Sequence, residues 1–328
     1  MKGNSEFGLQ NLNNFSPAFR NVIEIADKIA PHDIPILIEG EIGTGKERLA
    51  RKIHFASPRA LCEFVSIDCS SFSEVFLESE LLGYVRGSFA GAIHDKKGLL
   101  ELANSGTIFL DHISKTKTAF QGKLFRILND GTFHKIGGIA EAQVDVRIIA
   151  ATDEDLSLLV SRKKFREDLY YLLNVMRITI PPLRERREDI LLLANWFLEA
   201  IAKRSGTEQK EFTQEAQALL KSYDWPANVR ELEKEAEKSI ILAGSSRKIG
   251  PKHLAPILSK RRHIPINSKM VSSGSLKGQK RKMIAILEKN AINEALRKTG
   301  GNRTRAAQLL AVSRQELLRK ISAHKIKV

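Results

Sequence analysis

The chain has 328 residues, of which 42% are hydrophobic, so it can bury the cores of two or three domains. It contains no apolar run of about 18 residues and no apolar signal core in its Asn-rich start, so the sequence predicts no membrane contact. Its 53 Lys and Arg residues against 38 Asp and Glu residues give a formal net charge of +15, which predicts a polyanionic partner.

Strands alternate with helical patterns in the first part of the chain. Residues 33–57 run from an apolar strand through a Gly-rich turn into an amphipathic helix. Later strands are predicted at 63–71, 106–113 and 144–156. This alternation predicts an α/β domain with a parallel sheet over residues 15–180, after an N-terminal extension of residues 1–14. The two cysteines, Cys62 and Cys69, have no partners at metal-ligand spacing, so we interpret them as small core residues in a reducing cytoplasm.

Two prolines, Pro181 and Pro182, end this alternation, and helical periodicity follows them. Helices are predicted at 188–204, 213–225 and 229–243. We therefore expect residues 181–258 to form a smaller all-helical domain. A basic, Ser- and Gly-containing linker is predicted at residues 259–282, before a final helical domain at residues 283–328.

A phosphate-binding loop is predicted at residues 40–46, where GEIGTGK fits the pattern G-x-x-x-x-G-K. Its glycines allow backbone N–H groups to face phosphate oxygens, the following helix adds its positive end, and Lys46 reaches the outer phosphates. The alternative is a Gly-rich turn that arose by chance. The position of the loop between an apolar strand and a helix favours the binding of a nucleotide.

Asp111 ends a predicted strand in GTIFLDHI, downstream of this loop. An aspartate at this place holds Mg²⁺ directly or through water in nucleotide-hydrolysing enzymes. A lone Asp after a strand is more often a helix cap, but the upstream loop favours the metal role. His112 then occupies the position where such enzymes usually carry the Glu that activates water. The sequence therefore leaves open whether the protein is an ATPase with an unusual base or a former ATPase that only binds.

The basic tail has the pattern of a helix-turn-helix. Residues 257–328 contain 18 Lys and Arg against 3 Asp and Glu, so all of the net charge lies there. Asn302 and Ser313 are predicted to cap two helices. The apolar residues of these helices are Ala306, Leu309, Leu310, Leu317, Leu318 and Ile321. A preceding helix at residues 284–298 has an apolar side suited to pairing two tails on a palindromic site.

Double-stranded DNA is the partner that this tail predicts, and a three-helix dimerisation bundle is the alternative. The side chains expected in a major groove are Arg314, Gln315, Arg319 and Lys320, with the cap Ser313 at the start of their helix. The side chains expected to meet phosphates are Arg303 and Arg305. Arginine and glutamine are the side chains that commonly read base edges, so their placement favours DNA.

Eight stretches carry a resemblance to a known family: GEIGTGKE (40–47), LESELLGYVRGSFAGA (77–92), GTIFLDHI (106–113), VDVRIIAATDEDL (144–156), FREDLYYLLNV (165–175), PPLRERREDI (181–190), WPANVRELE (225–233) and GGNRTRAAQLLAVSRQELLRKISAHKI (300–326). In this order they resemble the AAA+ transcription activators that work with the alternative sigma factor sigma-54. The resemblance runs from about Phe15 to the end of the chain.

This resemblance implies a P-loop AAA+ sheet, a helical lid and a Fis-type helix-turn-helix. It also implies ATP and Mg²⁺ as cofactors, bound between the subunits of a homo-oligomer that is a dimer or a hexameric ring. The implied nucleotide-binding residues are Gly40, Glu41, Gly43, Thr44, Gly45, Lys46, Glu47 and Arg230, with Asp111 as the metal ligand. Arg166 is expected to act on the nucleotide of a neighbouring subunit. The implied sigma-factor loop consists of Gly87, Ser88, Phe89, Ala90, Gly91 and Ala92.

Several functional positions depart from the family's pattern. His112 replaces the Glu that activates water, and Asp68 replaces the Asn that positions this Glu. Leu172 replaces the second of two arginines, and Asp153 stands where an Asn senses the outer phosphate. In the sigma-factor loop, Ala90 replaces the Thr that transmits ring motion to RNA polymerase, and Ser88 replaces an Ala. Neutral drift in a working enzyme is the alternative explanation for these changes.

A positioned base is worth roughly 10²–10⁴ in rate and a trans arginine roughly 10³–10⁵. The leading hypothesis is therefore a DNA-binding transcription regulator that binds ATP and oligomerises but turns ATP over poorly. The rival hypothesis is a working ATP-hydrolysing sigma-54 activator that remodels the closed complex of RNA polymerase. A DNA-independent AAA+ remodeller is a third hypothesis, which the basic tail disfavours.

Overall fold

A computed structural model describes residues 15–71, 73–256, 292, 299, 302–309 and 312–323. The chain divides into two compact units, Met1–Arg262 and His263–Val328. The predicted N-terminal extension, the predicted linker and all of the predicted helix at 284–298 except Ile292 lie outside the described residues. No helix in the described part of the chain is both long and apolar enough to cross a membrane.

The first unit combines short strands with helices. Its strands are β1 (Ile36–Glu39), β2 (Phe64–Asp68), β3 (Gly83–Tyr84), β4 (Lys96–Lys97), β5 (Thr107–Asp111), β6 (Thr132–His134), β7 (Glu141–Gln143), β8 (Arg147–Thr152), β9 (Met176–Thr179), β10 (Glu211–Phe212) and β11 (Lys248–Ile249). Its helices are α1 (Pro17–Ile29), α2 (Lys46–Phe55), α3 (Glu74–Leu82), α4 (Leu99–Leu102), α5 (Thr118–Asp130), α6 (Leu156–Ser161), α7 (Glu167–Leu173), α8 (Glu188–Ser205), α9 (Gln214–Ser222) and α10 (Asn228–Ala243).

A five-stranded parallel sheet with the order β2-β5-β8-β1-β9 forms the centre of this unit. Side chains alternate between two buried cores, as expected for a parallel sheet that is covered on both faces. In β1, Ile36 and Ile38 face a core shared with α1, α2 and the helices after Pro182, whereas Leu37 faces a core shared with α3, α5 and α7. The α/β prediction is confirmed.

Helices α8, α9 and α10 pack together after the sheet and form the lid. Trp225 is fully buried among them, and its indole N–H donates to the carbonyl of Leu220 at 2.9 Å. This region shares its core with β1 and α2, so the lid and the sheet belong to one compact unit. The lid is therefore held close to the loop that follows β1.

The second unit contains two described helices, α11 (Arg303–Leu309) and α12 (Arg314–Ala323). Ala306, Ala307, Leu317 and Ile321 form its small core together with Ile292. Leu309, at the end of α11, is 58% exposed. The interpretation of both cysteines as core residues was wrong for Cys62, which is exposed in the loop between α2 and β2, whereas it is confirmed for Cys69, which is buried.

Candidate functional site

The polar residues singled out in the sequence meet at the carboxyl edge of the sheet. Asp68 and Asp111 are paired in register at the ends of the neighbouring strands β2 and β5. The N–H of Gly40 donates to the carbonyl of Thr152 at 3.2 Å, so the loop after β1 starts beside the end of β8. Ligands of open α/β sheets bind at this edge, where successive connections run to opposite faces.

The loop from Gly40 to Lys46 has the geometry of a phosphate cradle. Gly43 and Gly45 have backbone φ angles of 78° and 104°, which residues with a Cβ atom rarely adopt. Helix α2 starts at Lys46. Its N-cap is Gly45, which has no side chain that could accept hydrogen bonds from the first N–H groups of the helix. A Cβ added to Gly45 would meet no atom within 4 Å among the described residues, so the space in front of this helix end is open. An anion fits this uncapped N-terminus.

Lys46 is buried at the base of this loop. Its Nζ donates to the carbonyl of Gly40 at 2.8 Å and to that of Glu41 at 3.3 Å. Burial lowers the pKa of Lys46, the carboxylates of Asp111 and Asp153 oppose this shift, and Arg230 adds to it. The ammonium group therefore lies in the common field of these three side chains. Thr44 is buried nearby and donates its hydroxyl to the carbonyl of Glu41 at 2.8 Å.

The phosphate loop is bonded directly to the lid through Gly43. The N–H groups of Val229 and Arg230, in the first turn of α10, reach the carbonyl of Gly43 at 2.9 and 3.3 Å. A Cβ at Gly43 would lie 2.1 Å from the carbonyl oxygen of Ala227, so only glycine fits this contact. A movement of the lid is thereby coupled to the shape of the loop.

Glu41 makes the second link between the phosphate loop and the lid. Arg184 binds its carboxylate with two nitrogens at 2.8 and 2.6 Å, and these hydrogen bonds lower the pKa of Glu41. Asn228, which is fully buried, donates to Glu41 at 3.2 Å and to the carbonyl of Ile42 at 3.0 Å. Its Oδ1 accepts the N–H of Leu183 at 2.7 Å.

A third link runs behind the loop through Arg186, whose guanidinium donates to the carbonyl of Thr44 at 3.1 Å and lies 4.4 Å from the ring of Phe19. Burial lowers the pKa of Arg186 to about 10. The buried Asp189, 3.9 Å away, accepts the N–H and hydroxyl of Ser16 at 2.6 and 3.0 Å. Burial raises the pKa of Asp189. Helix α1, the loop and the lid are therefore joined by hydrogen bonds and by the ion pair between Arg186 and Asp189.

His112 and Asp68 form a pair at the edge of the sheet. The Nδ1 of His112 lies 3.0 Å from Oδ1 of Asp68 and 3.7 Å from Oδ2 of Asp111. His112 itself has a left-handed backbone, with φ of 52°. Burial opposes the ionisation of Asp68, but hydrogen bonds from Ser70 and Ser71 and the charge of His112 hold its pKa at about 2. Both residues depart from the family's pattern, and the structure brings these two departures into contact.

Three carboxylates were predicted at the nucleotide site, with Asp111 as the metal ligand, and they differ in their surroundings. Asp111 is half-buried, with Oδ1 accepting the N–H of His112 at 2.9 Å. Asp153 follows β8, and its Oδ1 is buried without a hydrogen-bond partner in the described part of the chain. Glu47 is exposed on α2 and pairs with Arg51 at 2.7 Å. Among the described residues, no three His, Cys, Asp or Glu side chains form a metal cluster. A Mg²⁺ bound through one carboxylate and nucleotide phosphates fits this arrangement.

The family's pattern has an arginine at three positions, which are occupied here by Arg166, Leu172 and Arg230 and differ in their surroundings. Arg166, the N-cap of α7, pairs with Asp168 at 2.6 Å and lies on α5 near Gly122, so its described contacts are away from the Gly40–Lys46 loop. Leu172 is half-buried and packs on the core of α5 and α7. Arg230 is exposed beside Gly43 and forms no ion pair within the described residues. It is therefore available to a ligand of its own loop.

The predicted sigma-factor loop is the tip of the β3–β4 hairpin. Gly87 and Gly91 have positive φ angles, and the N–H of Gly87 donates to the carbonyl of Ala92 at 2.8 Å. The ring of Phe89, 45% exposed, lies 4.9 Å from the ring of Tyr84. Ser88 packs against Gly137, and its hydroxyl is buried without a partner in the described part of the chain. Ala90 is exposed at the tip.

The second unit has the cap geometry of a helix-turn-helix. Oδ1 of Asn302 accepts the N–H groups of Thr304 and Arg305 at 3.1 Å each, and the hydroxyl of Ser313 accepts the N–H of Glu316 at 3.1 Å. The exposed polar side chains of this unit include Arg303, Arg305, Arg314, Gln315 and Arg319, while Lys320 is half-buried. The basic side chains therefore lie on the surface of both helices.

Comparison with known protein families gives three consecutive matches. The sigma-54 interaction domain matches residues 12–179, the AAA+ ATPase lid domain residues 184–269, and the bacterial regulatory protein Fis family residues 284–324. The first match alone covers more than half of the chain. The chain belongs to the sigma-54 activator family. The family resemblance seen in the sequence is thereby confirmed, and the chain is a transcription regulator with a Fis-type helix-turn-helix.

Individual relatives of this sigma-54 activator chain support the same family assignment. The regulatory protein AtoC of Escherichia coli K12 is 39% identical over 315 residues, which cover 95% of the chain and 67% of AtoC. The Nif-specific regulatory protein of Klebsiella pneumoniae is 46% identical over 239 residues, which cover 73% of the chain and 45% of that protein. The chain thus spans about two thirds of the first relative and less than half of the second.

Solved structures of NtrX from Brucella abortus are similar as well. One has a TM-score of 0.73 at 30% identity and covers 97% of this chain and 70% of NtrX. Another, in complex with ATP, has a TM-score of 0.69 at 29% identity and covers 95% of this chain and 68% of NtrX. The AAA+ architecture of the sigma-54 activator chain is therefore supported by both sequence and structure.

Sequence reasoning missed the residues that join the loop to the lid, namely Arg184, Arg186, Asp189 and Asn228. All four lie in the motifs PPLRERREDI and WPANVRELE, in which only Arg230 was given a role. The signal that could have found them is the unusual density of arginine and acidic residues in a segment next to two prolines. Their partners are too distant in the sequence to be deduced from spacing.

Proposed function

We propose that the chain is a DNA-binding transcription regulator that binds ATP with Mg²⁺ at the Gly40–Lys46 loop, assembles with copies of itself, and hydrolyses ATP weakly or not at all. One observation carries this proposal. The loop and Lys46 keep the form of a phosphate cradle, whereas the position of the catalytic base holds an imidazole whose Nδ1 lies 3.0 Å from Asp68.

Binding follows from the chain's own groups. The uncapped N–H groups at the start of α2 and the ammonium of Lys46 supply positive charge to phosphates, and Arg230 faces the same loop from the lid. Asp111 would hold Mg²⁺, which neutralises phosphate charge when bound. NtrX, to which this chain is similar, has been crystallised with ATP. The network through Glu41 and Asn228 keeps the loop in its binding shape.

Weak turnover follows from the replaced residues. A Glu base is worth roughly 10²–10⁴ in rate and a trans arginine roughly 10³–10⁵. His112 stands in place of the first, and Leu172, which packs on the core, stands in place of the second. Arg166 alone remains to reach a neighbouring subunit. Loss of the Glu base together with one of the two arginines is therefore expected to leave hydrolysis little above background.

The alternative is a working ATP-hydrolysing sigma-54 activator that remodels the closed polymerase complex. The contact between His112 and Asp68 favours this alternative in one respect. When Nδ1 of His112 donates to Asp68, Nε2 is left as an acceptor, and a carboxylate that orients an imidazole in this way supports general-base catalysis. The two functions therefore differ in the measured rate of phosphate release.

The test is phosphate release from ATP by the purified chain, compared with an Asp68→Asn/His112→Glu double variant. His112→Glu alone would place two carboxylates about 3 Å apart and is a poor probe. We expect turnover near background for the natural chain and an increase of at least about tenfold for the double variant, because a Glu base is restored beside a neutral partner. Brisk turnover of the natural chain that is abolished by His112→Ala would establish the alternative.

Nucleotide binding is tested separately with Lys46→Ala and, as a matched control, Lys203→Ala on the exposed face of α8. We expect Lys46→Ala to lower the affinity for ATP by at least about 100-fold, since the ammonium is a main counter-charge of the outer phosphates. Lys203 pairs with Glu199 at 2.6 Å, and its loss should leave binding unchanged. Equal affinity of both variants would remove the nucleotide site from this loop.

Interaction with RNA polymerase and sigma-54 rests on the hairpin tip. Ala90 lacks the hydroxyl of the family's threonine, whereas the exposed Phe89 is retained. Affinity sequencing of genomic DNA bound by the chain would identify its targets. Sites beside sigma-54 promoters favour contact with that polymerase, and sites elsewhere favour regulation by DNA binding alone.

The proposed assembly of the chain with copies of itself needs its own test. Light scattering with and without ATP would measure the assembly state.

A further inference from the structure

Asp153 occupies a position fixed by the backbone beside the phosphate loop. It follows Thr152, whose carbonyl accepts the N–H of Gly40 at 3.2 Å, so the turn after β8 and the start of the loop are bonded together. The hydroxyl of Thr152 also accepts the N–H of Glu154 at 3.0 Å and lies 2.9 Å from its carbonyl oxygen. This closed turn holds the backbone of Asp153 in place.

One oxygen of the Asp153 carboxylate lacks compensation for its burial. Its Oδ1 is buried and accepts no hydrogen bond within the described part of the chain. A buried acceptor left in this way loses its hydration without replacement, which is unfavourable unless another group uses it. Asp153 also acts on Lys46: burial lowers the pKa of this lysine, and the negative charges of Asp111 and Asp153 oppose that shift.

A third phosphate would enter the field of the same lysine. The lysine of such a loop reaches the β- and γ-phosphates of a bound nucleotide. A γ-phosphate is an anion, so it competes with the Asp153 carboxylate for Lys46 and is repelled by it. The backbone N–H groups of such a loop cradle the α- and β-phosphates, so a diphosphate depends less on this lysine than a triphosphate does. An Asn here would instead offer an N–H donor to the γ-phosphate without adding charge.

We infer that Asp153 makes this site select the diphosphate over the triphosphate form of its nucleotide. The inference deepens the proposed function and rests on the nucleotide site proposed above. The chain would then hold ADP as its resting ligand, and ATP would have to exceed ADP in concentration to replace it. Selectivity is then set by one side chain, directly after β8.

The experiment is isothermal titration of the full chain with ADP and with a non-hydrolysable ATP analogue, both in excess Mg²⁺. The natural chain should bind ADP more tightly. Asp153→Asn should raise the affinity for the ATP analogue by at least about tenfold, because one like charge is replaced by a donor, while the affinity for ADP changes by less than about threefold.

The matched control is Glu154→Gln, which removes the same charge from the adjacent residue. Glu154 is about half exposed and pairs with Lys115 at 3.1 Å, so this variant should keep the ADP preference. An unchanged ratio of affinities in Asp153→Asn overturns the inference. A drop in the affinity for the ATP analogue overturns it as well, since Asp153 would then assist the triphosphate through the metal. If neither nucleotide binds to the natural chain, both the proposed function and the inference about Asp153 fail.

Discussion

The strongest structural prediction concerns Asn228, whose side chain joins the lid to the phosphate loop. In Asn228→Ala three hydrogen bonds are lost, to Leu183, Glu41 and Ile42. At about 1 kcal/mol each, these bonds amount to about 3 kcal/mol. The backbone of Asn228 has a φ of 53°, which costs an Ala roughly 1 kcal/mol more than an Asn. The variant should therefore lower the free energy of unfolding by about 4 kcal/mol.

Urea unfolding followed by tryptophan fluorescence measures this change, because the two tryptophans of the chain, Trp196 and Trp225, both lie in the lid. Asn195→Ala, at an exposed position of α8, is the matched control and should change the free energy of unfolding by less than about 0.5 kcal/mol. A loss below about 1 kcal/mol in Asn228→Ala would show that the hydrogen-bonded link is not formed in solution. Affinity for ADP should fall in the same variant, because the shape of the loop depends on this link.

The remaining predictions concern pH and DNA. Burial lowers the pKa of His54, so the unfolded chain binds a proton more readily than the folded one, and the free energy of unfolding should fall as pH drops through about 6.5. His54→Gln should flatten this dependence in thermal unfolding at pH 7.5 and 5.5, and an unchanged slope would assign it to other groups. Arg303→Ala should weaken binding equally on all DNA sequences and reduce the salt slope by about 1, whereas Arg319→Ala should relax sequence preference. Fluorescence anisotropy at several salt concentrations measures both effects, and the assignment of Arg303 to phosphate fails if its loss alters sequence preference.

Local patterns were sufficient to predict the main elements of this chain. The phosphate loop, the strand that ends at Asp111 and the two capped helices of the tail depend on residues within a few positions of one another. Glycines that permit positive φ and caps that satisfy helix ends act over this range. The sequence alone therefore determined the α/β class, the loop and the helix-turn-helix. In the described part of the chain, seven strands of two to four residues escaped prediction, because such short segments carry little periodicity: β3, β4, β6, β7, β9, β10 and β11.

Tertiary structure alone decided which of these residues meet. Asp68 faces His112 because β2 and β5 are neighbours in register, and strand order cannot be deduced from hydrophobic alternation. Asn228 meets Glu41 across 187 positions, and this contact exists because the lid folds back onto the phosphate loop. The exposure of Cys62 was likewise decided by packing. Local sequence determines the conformation of a segment, whereas contacts between distant segments depend on burial and hydrogen bonding of the whole unit.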